Sequence, residues 1–348
     1  MNRALVYHGK ADVRVESLPD PTPQDARGVI VRVERTAICG SDLHLYHGNL
    51  PIPPGFTLGH EFVGEIVETG RDVRKFRTGD RVIVSGVIGC GECRACAGGH
   101  PIRCERHETR VFGNSHELPG GQAEAAAVPA ADSALLRVPH GINVDQAVLL
   151  TDILPTGYFG AKNADIKPGQ SVAVIGLGPV GQCALQCAQL FGPSRVFAID
   201  RVASRLEAAR ALGGIPIDAS QDPIGAIRDA TGGQGPDAVI EAVGADETIA
   251  LGIQLVRVAG VLSVIGVSTN MAFPFPMLQA LMKSLTFRIG ICPVPELWDD
   301  LVPLLQSGRL RPERVFTHRM PLSKGAEAYA LFDARSDGVM KVMLDPSA

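Results

Sequence analysis

The stretch GCGECRACAGGHPIRC places Cys90, Cys93, Cys96 and Cys104 within fifteen positions, half of the eight cysteines in the chain. Thiolates crowded this closely suit a single ion, because Zn²⁺ takes four ligands tetrahedrally at about 2.3 Å from sulfur. Structural disulfides need an oxidising compartment, and the opening residues MNRALVYHGK lack the apolar core of a secretion signal. The expected location is therefore cytoplasmic, and the expected occupant is zinc. A redox-active or coincidental cluster is the remaining reading. A nucleic-acid-binding finger is opposed by the net charge of −4 and the pI near 6.1. Locally, Arg94, Arg103 and Arg106 are set against only Glu92 and Glu105, too small a surplus to make a basic patch. The five glycines from Gly86 to Gly99 predict a loop wrapped on the metal in place of a regular helix or strand. Four thiolates fill the shell of zinc and leave no position for substrate. This lobe is expected to be a staple, and any chemistry must lie elsewhere.

Other reactive groups are scattered. AICGSDLHLYHG holds Cys39, Ser41, Asp42, His44 and His47, TLGHEFVGEIVETG holds His60 and Glu61, and LLTDILPTGY holds Asp152. They are too far apart for spacing to show convergence, so the residues alone leave a second metal site and ordinary polar loops equally open. SVAVIGLGPVGQCALQCAQLFG is more explicit. An apolar strand runs from Val172 to Ile175, Gly176, Gly178 and Gly181 follow in G-x-G-x-x-G spacing, and apolar residues then recur at helical intervals. The glycines, with Pro179 and Val180 between them, let the backbone approach a pyrophosphate at a helix N-terminus. Asp200 ends the next strand, RVFAID, 19 residues after Gly181, where a carboxylate suits the adenosine ribose hydroxyls. Arg201 and Arg205 lie beside it and would favour a 2′-phosphate instead. Asp200 is expected to prevail, which predicts NAD over NADP.

These groups need elements to position them. With 348 residues, two domains of roughly 150 to 200 residues are expected. Strands and helices alternate from about 153 to 291, with helices near Ser204–Leu212 and Asp246–Val258 and strands at AVIEAVG and GVLSVIG. That pattern predicts a doubly wound parallel sheet. The expected division is residues 1–152 with 292–348, and residues 153–291. Cys183 and Cys187 sit on one helical face as small hydrophobes, Cys292 carries no reading, and His8, His47 and His100 are expected on the surface or in loops. No apolar run approaches the roughly 18 residues needed to cross a bilayer.

Taken in order, six motifs resemble those of the zinc-dependent medium-chain alcohol dehydrogenases over nearly the whole chain. They are Cys39-x-Ser41-x-x-His44, GHE at Gly59–Glu61, GDRV at Gly79–Val82, the four-cysteine lobe, TGY at Thr156–Tyr158 and the nucleotide fingerprint. The resemblance implies a GroES-like, mainly β catalytic domain beside the Rossmann sheet, with NAD and two Zn²⁺ per chain. It implies a catalytic zinc on Cys39, His60 and Asp152, with Glu61 able to approach the metal. Many relatives carry cysteine at position 152, while similar bacterial secondary-alcohol and formaldehyde dehydrogenases carry aspartate. Ser41 and His44 would relay a proton, Asp42 would orient His60, and Thr156 would join the cofactor contacts. The implied reaction is hydride transfer between small primary or secondary alcohols and their aldehydes or ketones. A polyol or threonine-type zinc dehydrogenase is the alternative. The short segment after the lobe resembles tetrameric members and implies a homotetramer, with neither nucleic acid nor membrane as partner. Gly40 stands where some relatives carry a pyrophosphate-binding arginine, so that contact is not expected. A substrate pocket is expected near Leu43, Pro51 to Phe56, Leu118 and Ile291 to Trp298.

Overall fold

VIVRVERTA alternates apolar and polar residues and forms the strand Val29–Ala37, burying Val29, Val31 and Val33. It pairs antiparallel with Glu61–Thr69, register Ala37 opposite Glu61, and two bulges sharpen its twist. At one bulge the backbones press together so closely that a Cβ on Gly64 would lie 2.0 Å from the Arg32 carbonyl oxygen. The sheet continues outward through Arg81–Val84 and Leu135–Arg137 on one side, and through Lys341–Asp345 and Phe316–Pro321 on the other. A separate sheet joins Asp12–Leu18, Asn2–Gly9 and Phe56–Thr57. The core between these layers is closed by the helix Gly325–Ala334, which buries Ala328, Tyr329 and Phe332.

The structure, a computed structural model, describes residues 1–348 and divides into two units, Met1–Pro155 with Pro293–Ala348, and Thr156–Cys292. The second unit is a six-stranded, all-parallel sheet. Its spatial order is Ile215–Asp218, Arg195–Asp200, Ser171–Ile175, Ala238–Glu241, Val261–Val264 and Thr286–Ile289. Numbered by sequence this is 3-2-1-4-5-6, the doubly wound dinucleotide-binding order. Ser171–Ile175 is buried at every residue, as a central strand covered on both faces must be. The helix expected near Asp246–Val258 ends at Leu255, because the chain leaves helical geometry at Val256 (φ −58°, ψ 139°). The edge strand Thr286–Ile289 and the preceding helix Met277–Met282 leave Met277, Leu278, Leu281, Met282 and Ile289 exposed. No helix is long and apolar enough to cross a membrane.

Candidate active site and metal centres

The antiparallel register brings two reactive segments out of the sheet at one end. Ala37 faces Glu61, so Cys39 and His60 lie just beyond the last paired residues. Cys39 is held by a tight turn in which Asp42 Oδ2 accepts its N–H at 2.9 Å. Asp152 arrives from the helical segment after Val144–Leu149 and is fixed there by two neighbours. The Gly86 N–H donates to Thr151 O at 2.9 Å, and the Trp298 indole donates to Leu150 O at 2.9 Å. A Cβ on Gly86 would lie 3.1 Å from His60 O and 3.4 Å from Thr151 O, so a small residue there lets the two segments close up.

The result is a cluster of four donors, Cys39, His60, Glu61 and Asp152, whose ligand atoms all lie within 4.8 Å of one another. Asp152 Oδ2 is 3.5 Å from Cys39 Sγ and 3.2 Å from His60 Nε2. A tetrahedral zinc at the usual 2.0–2.3 Å would separate its ligands by roughly 3.3 to 3.8 Å, so these three atoms fit that ion. Glu61 differs from them. Its carboxylate is fully buried and both oxygens contact Lys341 Nζ, at 2.9 and 2.6 Å. Lys341 is itself fully buried and also donates to Ile38 O at 3.2 Å. Glu61 therefore has a cation of its own.

Electrostatics in the cluster favour a cation. Burial raises the Cys39 thiol pKa, and the Glu61 and Asp152 charges raise it further. For His60, burial opposes the charged form, but Asp42, Cys39 and Asp152 outweigh it and hold the imidazole well above its ordinary value. Burial likewise raises Glu61, against the pull of Lys341. Groups with this much uncompensated negative character are what a divalent ion would neutralise.

Ser41 stands at the N-terminus of the helix Asp42–Tyr46 but does not cap it. Its Oγ lies 3.4 Å from His60 Nε2, on the side of the imidazole that faces the other donors. His44 is half-buried in the same short helix. Asp42 Oδ1 is 3.2 Å from His60 Nδ1, within ion-pair range though out of line for a good hydrogen bond.

The four-cysteine lobe forms a second donor group, again within 4.8 Å. Contrary to the expectation of loop alone, it contains a short strand, Val87–Ile88, a 3-10 turn at Pro101–Arg103, and a helical turn, Arg94–Ala97, capped by the Cys93 sulfur accepting from Cys96 N. Backbone N–H groups of Cys96 and Glu105 lower the Cys93 pKa. Burial opposes ionisation of Cys104, yet donors led by the Cys90 and Glu108 N–H groups bring it down to about 6. Cys96 is pushed up to about 12 by burial. The Cys90 and Cys96 sulfurs are 3.9 Å apart, close to the edge of a Zn–S₄ tetrahedron, roughly 3.8 Å.

In the second unit Gly176 adopts φ +84°, and a Cβ on Gly181 would fall 1.8 Å from the Gly176 carbonyl oxygen. Both positions require glycine. Gly178, Pro179 and Val180 are half-buried at the start of the helix Pro179–Gln189. Asp200 accepts from Leu177 N at 2.7 Å, Arg201 N at 2.7 Å and Val202 N at 2.9 Å. Arg205 Nη1 is 3.8 Å from its Oδ2, whereas Arg201 is exposed. Thr156 is half-buried in the helix Ile153–Asn163.

Several sequence expectations shift. Phe56, Leu118 and Trp298, expected near a substrate pocket, are buried. His47 is exposed and His8 and His100 are half-buried, paired with Asp333, Glu16 and Glu296 respectively. Lys341, Gln122 and Tyr329 went unnoticed. For Lys341 the signal was one charged residue inside the apolar run VMKVML.

The alcohol dehydrogenase GroES-like domain family matches residues 25–140, and the zinc-binding dehydrogenase family matches residues 179–307. A "probable zinc-binding alcohol dehydrogenase" of Mycobacterium tuberculosis is 45% identical, over 99% of this chain and 89% of its own length. The solved alcohol dehydrogenase TADH from Thermus sp. ATN1 is 42% identical with a TM-score of 0.91, covering 99% of both chains. Two solved structures at 27% identity, each over 99% of both chains, carry opposite cofactors. One, a zinc-binding dehydrogenase from Sinorhizobium meliloti described as putative in its own name, is bound to NADP (TM-score 0.86). The other, an alcohol dehydrogenase from E. coli, is complexed with NADH (TM-score 0.87).

Proposed function

Because the chain belongs to the zinc-dependent medium-chain alcohol dehydrogenase family, we propose that it oxidises small primary or secondary alcohols with NAD and catalyses the reverse reduction of aldehydes and ketones. The observation that carries this reading is the convergence of Cys39, His60 and Asp152, with the Ser41 hydroxyl beside them. These three residues would hold the catalytic zinc, and Cys90, Cys93, Cys96 and Cys104 a structural one. When bound, zinc supplies Lewis acidity to an alcohol or carbonyl oxygen, and NAD supplies the hydride acceptor.

Residues of the chain manage the proton. Alcohol oxidation releases one proton from oxygen and one hydride from carbon. Ser41 Oγ accepts that proton and passes its own outward, with the His44 imidazole, three residues on, as the receiving base. Asp42 takes the proton-bearing side of His60, leaving Nε2 to face the metal. Glu61 is the fourth candidate ligand, and its engagement with Lys341 favours a three-residue set. In the nucleotide unit, the glycine turn would take the pyrophosphate, Asp200 the adenosine ribose, and Arg201, Arg205 and Thr156 the remaining cofactor contacts.

A cytoplasmic homotetramer completes the reading. No two cysteines are joined by a disulfide, and five of the eight stand in the two donor groups. The exposed apolar side chains of Met277–Met282 beside an edge strand support a surface that another copy would cover. The deciding experiment is NADH formation across graded primary and secondary alcohols, sorbitol and threonine. Turnover confined to sorbitol or threonine would replace the simple-alcohol reading, and no turnover with any of them would refute it.

A further inference from the structure

Gln122 and Tyr329 are both completely buried, in a shell where apolar residues of equal size would cost less to desolvate. All their polar atoms are in use. The Tyr329 hydroxyl donates to Gln122 Oε1 at 2.8 Å. Gln122 Nε2 donates to Ala37 O at 3.2 Å and to Asp42 Oδ2 at 3.3 Å. The phenol O–H donates to the amide oxygen, which favours the carboxamide orientation that leaves Nε2 toward Ala37 O and Asp42. Burial, reinforced by the Asp42 charge, holds the Tyr329 pKa well above its ordinary value, so the donor keeps its proton.

The consequence falls on Asp42. Its Oδ2 is occupied by two donors, Cys39 N–H and Gln122 N–H. Only Oδ1 remains, and it faces His60 Nδ1 at 3.2 Å. Asp42 Oδ1 is thus the group nearest Nδ1, within ion-pair range, and with the Nδ1 proton on that side a metal-bound imidazole would turn its Nε2 lone pair toward Cys39 and Asp152. A reversed Gln122 amide would set an oxygen against the carboxylate and free it to turn away from the ring. Gln122 also reaches His60 by a second route. Gly59, at φ +93°, lies so close that a Cβ there would be 2.4 Å from Gln122 Cγ, so the backbone just before His60 rests on this side chain.

We propose that Gln122 and Tyr329 are positioning residues for the metal centre, setting the tautomer and orientation of His60 through Asp42. This rests on the reading of Cys39, His60 and Asp152 as a zinc site. The test uses zinc-loaded protein, with Tyr329→Phe, which removes one oxygen, and Gln122→Met, which keeps the size and removes the donors. Chelator competition measures zinc affinity at each site, with the four-cysteine zinc as internal reference, and cobalt substitution reports ligand geometry by its absorption bands. The expected result is a loss of roughly 10- to 100-fold in affinity at the Cys39 site only, with a shifted cobalt spectrum there. Parent-like affinity and spectrum in both variants would overturn the proposal, even if their unfolding midpoints fell, since a merely structural role predicts that pattern. Should Gln122→Met fail to fold, Tyr329→Phe decides alone. A parent protein holding only the four-cysteine zinc would instead refute the site reading beneath it.

Discussion

Replacing Lys341 by Met should deepen a pH-dependent weakness that burial of Glu61 already sets up. Lys341 and Glu61 are fully buried and 2.6 Å apart, so the variant leaves a carboxylate with no counter-ion. Removing one partner of such a pair costs about 3–5 kcal/mol. A second route to the magnitude agrees. The folded variant escapes by protonating Glu61, whose ordinary pKa is 4.5. Holding a proton that the unfolded chain releases costs about 1.36 kcal/mol per pH unit above that value. Because Glu61 is already raised in the parent, this gives at most about 4 kcal/mol at pH 7.5 and about 1.4 kcal/mol at pH 5.5 as the added deficit. The sign follows from the folded state binding the extra proton: the deficit is absent below pH 4.5 and grows as pH rises. Trp298 is the only tryptophan and is buried in the unit that contains the pair, so its fluorescence during urea unfolding reports that unit. The measurement belongs on protein whose Cys39 site has been stripped by chelator, so that no other cation faces Glu61. Lys341→Met with Glu61→Gln should recover most of the loss and flatten the pH dependence. A single variant within about 1 kcal/mol of the parent at pH 7.5, or a double variant no better than the single, would refute the reasoning.

Four further outcomes are expected. Elemental analysis should find two zinc ions per chain, with Cys39→Ala losing one of them and all turnover while Trp298 fluorescence stays native. Cys93→Ala should instead lower the unfolding midpoint, because a structural zinc contributes folding energy. Ser41→Ala should cut kcat by about 100-fold or more, and His44→Ala by roughly 10- to 100-fold with partial rescue by imidazole, both read from steady-state kinetics. NAD should be preferred over NADP by about 100-fold in kcat/KM, about 2.7 kcal/mol, and Asp200→Gly should narrow the gap by releasing Arg205 from its carboxylate.

Legibility in the sequence followed distance along the chain. The glycine fingerprint and the four-cysteine lobe are local, so spacing alone announced both, and the structure adds the short strand Val87–Ile88 and the turn Arg94–Ala97 that glycine counting had excluded. Cys39, His60 and Asp152 lie on three segments, and only a family resemblance could place them together. The pairings farthest apart stayed hidden. Tyr329 meets Gln122 across 207 positions and Lys341 meets Glu61 across 280, and no periodicity links residues so separated.

The strand Lys341–Asp345 also has a meaning in time. It supplies the cation for Glu61 and pairs Met343 with Ala37, two residues before Cys39. During synthesis the four-cysteine lobe can close as soon as its fifteen residues have emerged. The Glu61 carboxylate has no counter-ion until Lys341, 280 positions further on, has been made. Contacts this distant in sequence form slowly, because the loop entropy is lost before the contact repays it. One donor group can thus assemble early in synthesis, and the surroundings of the other are complete only after Lys341–Asp345 has been made.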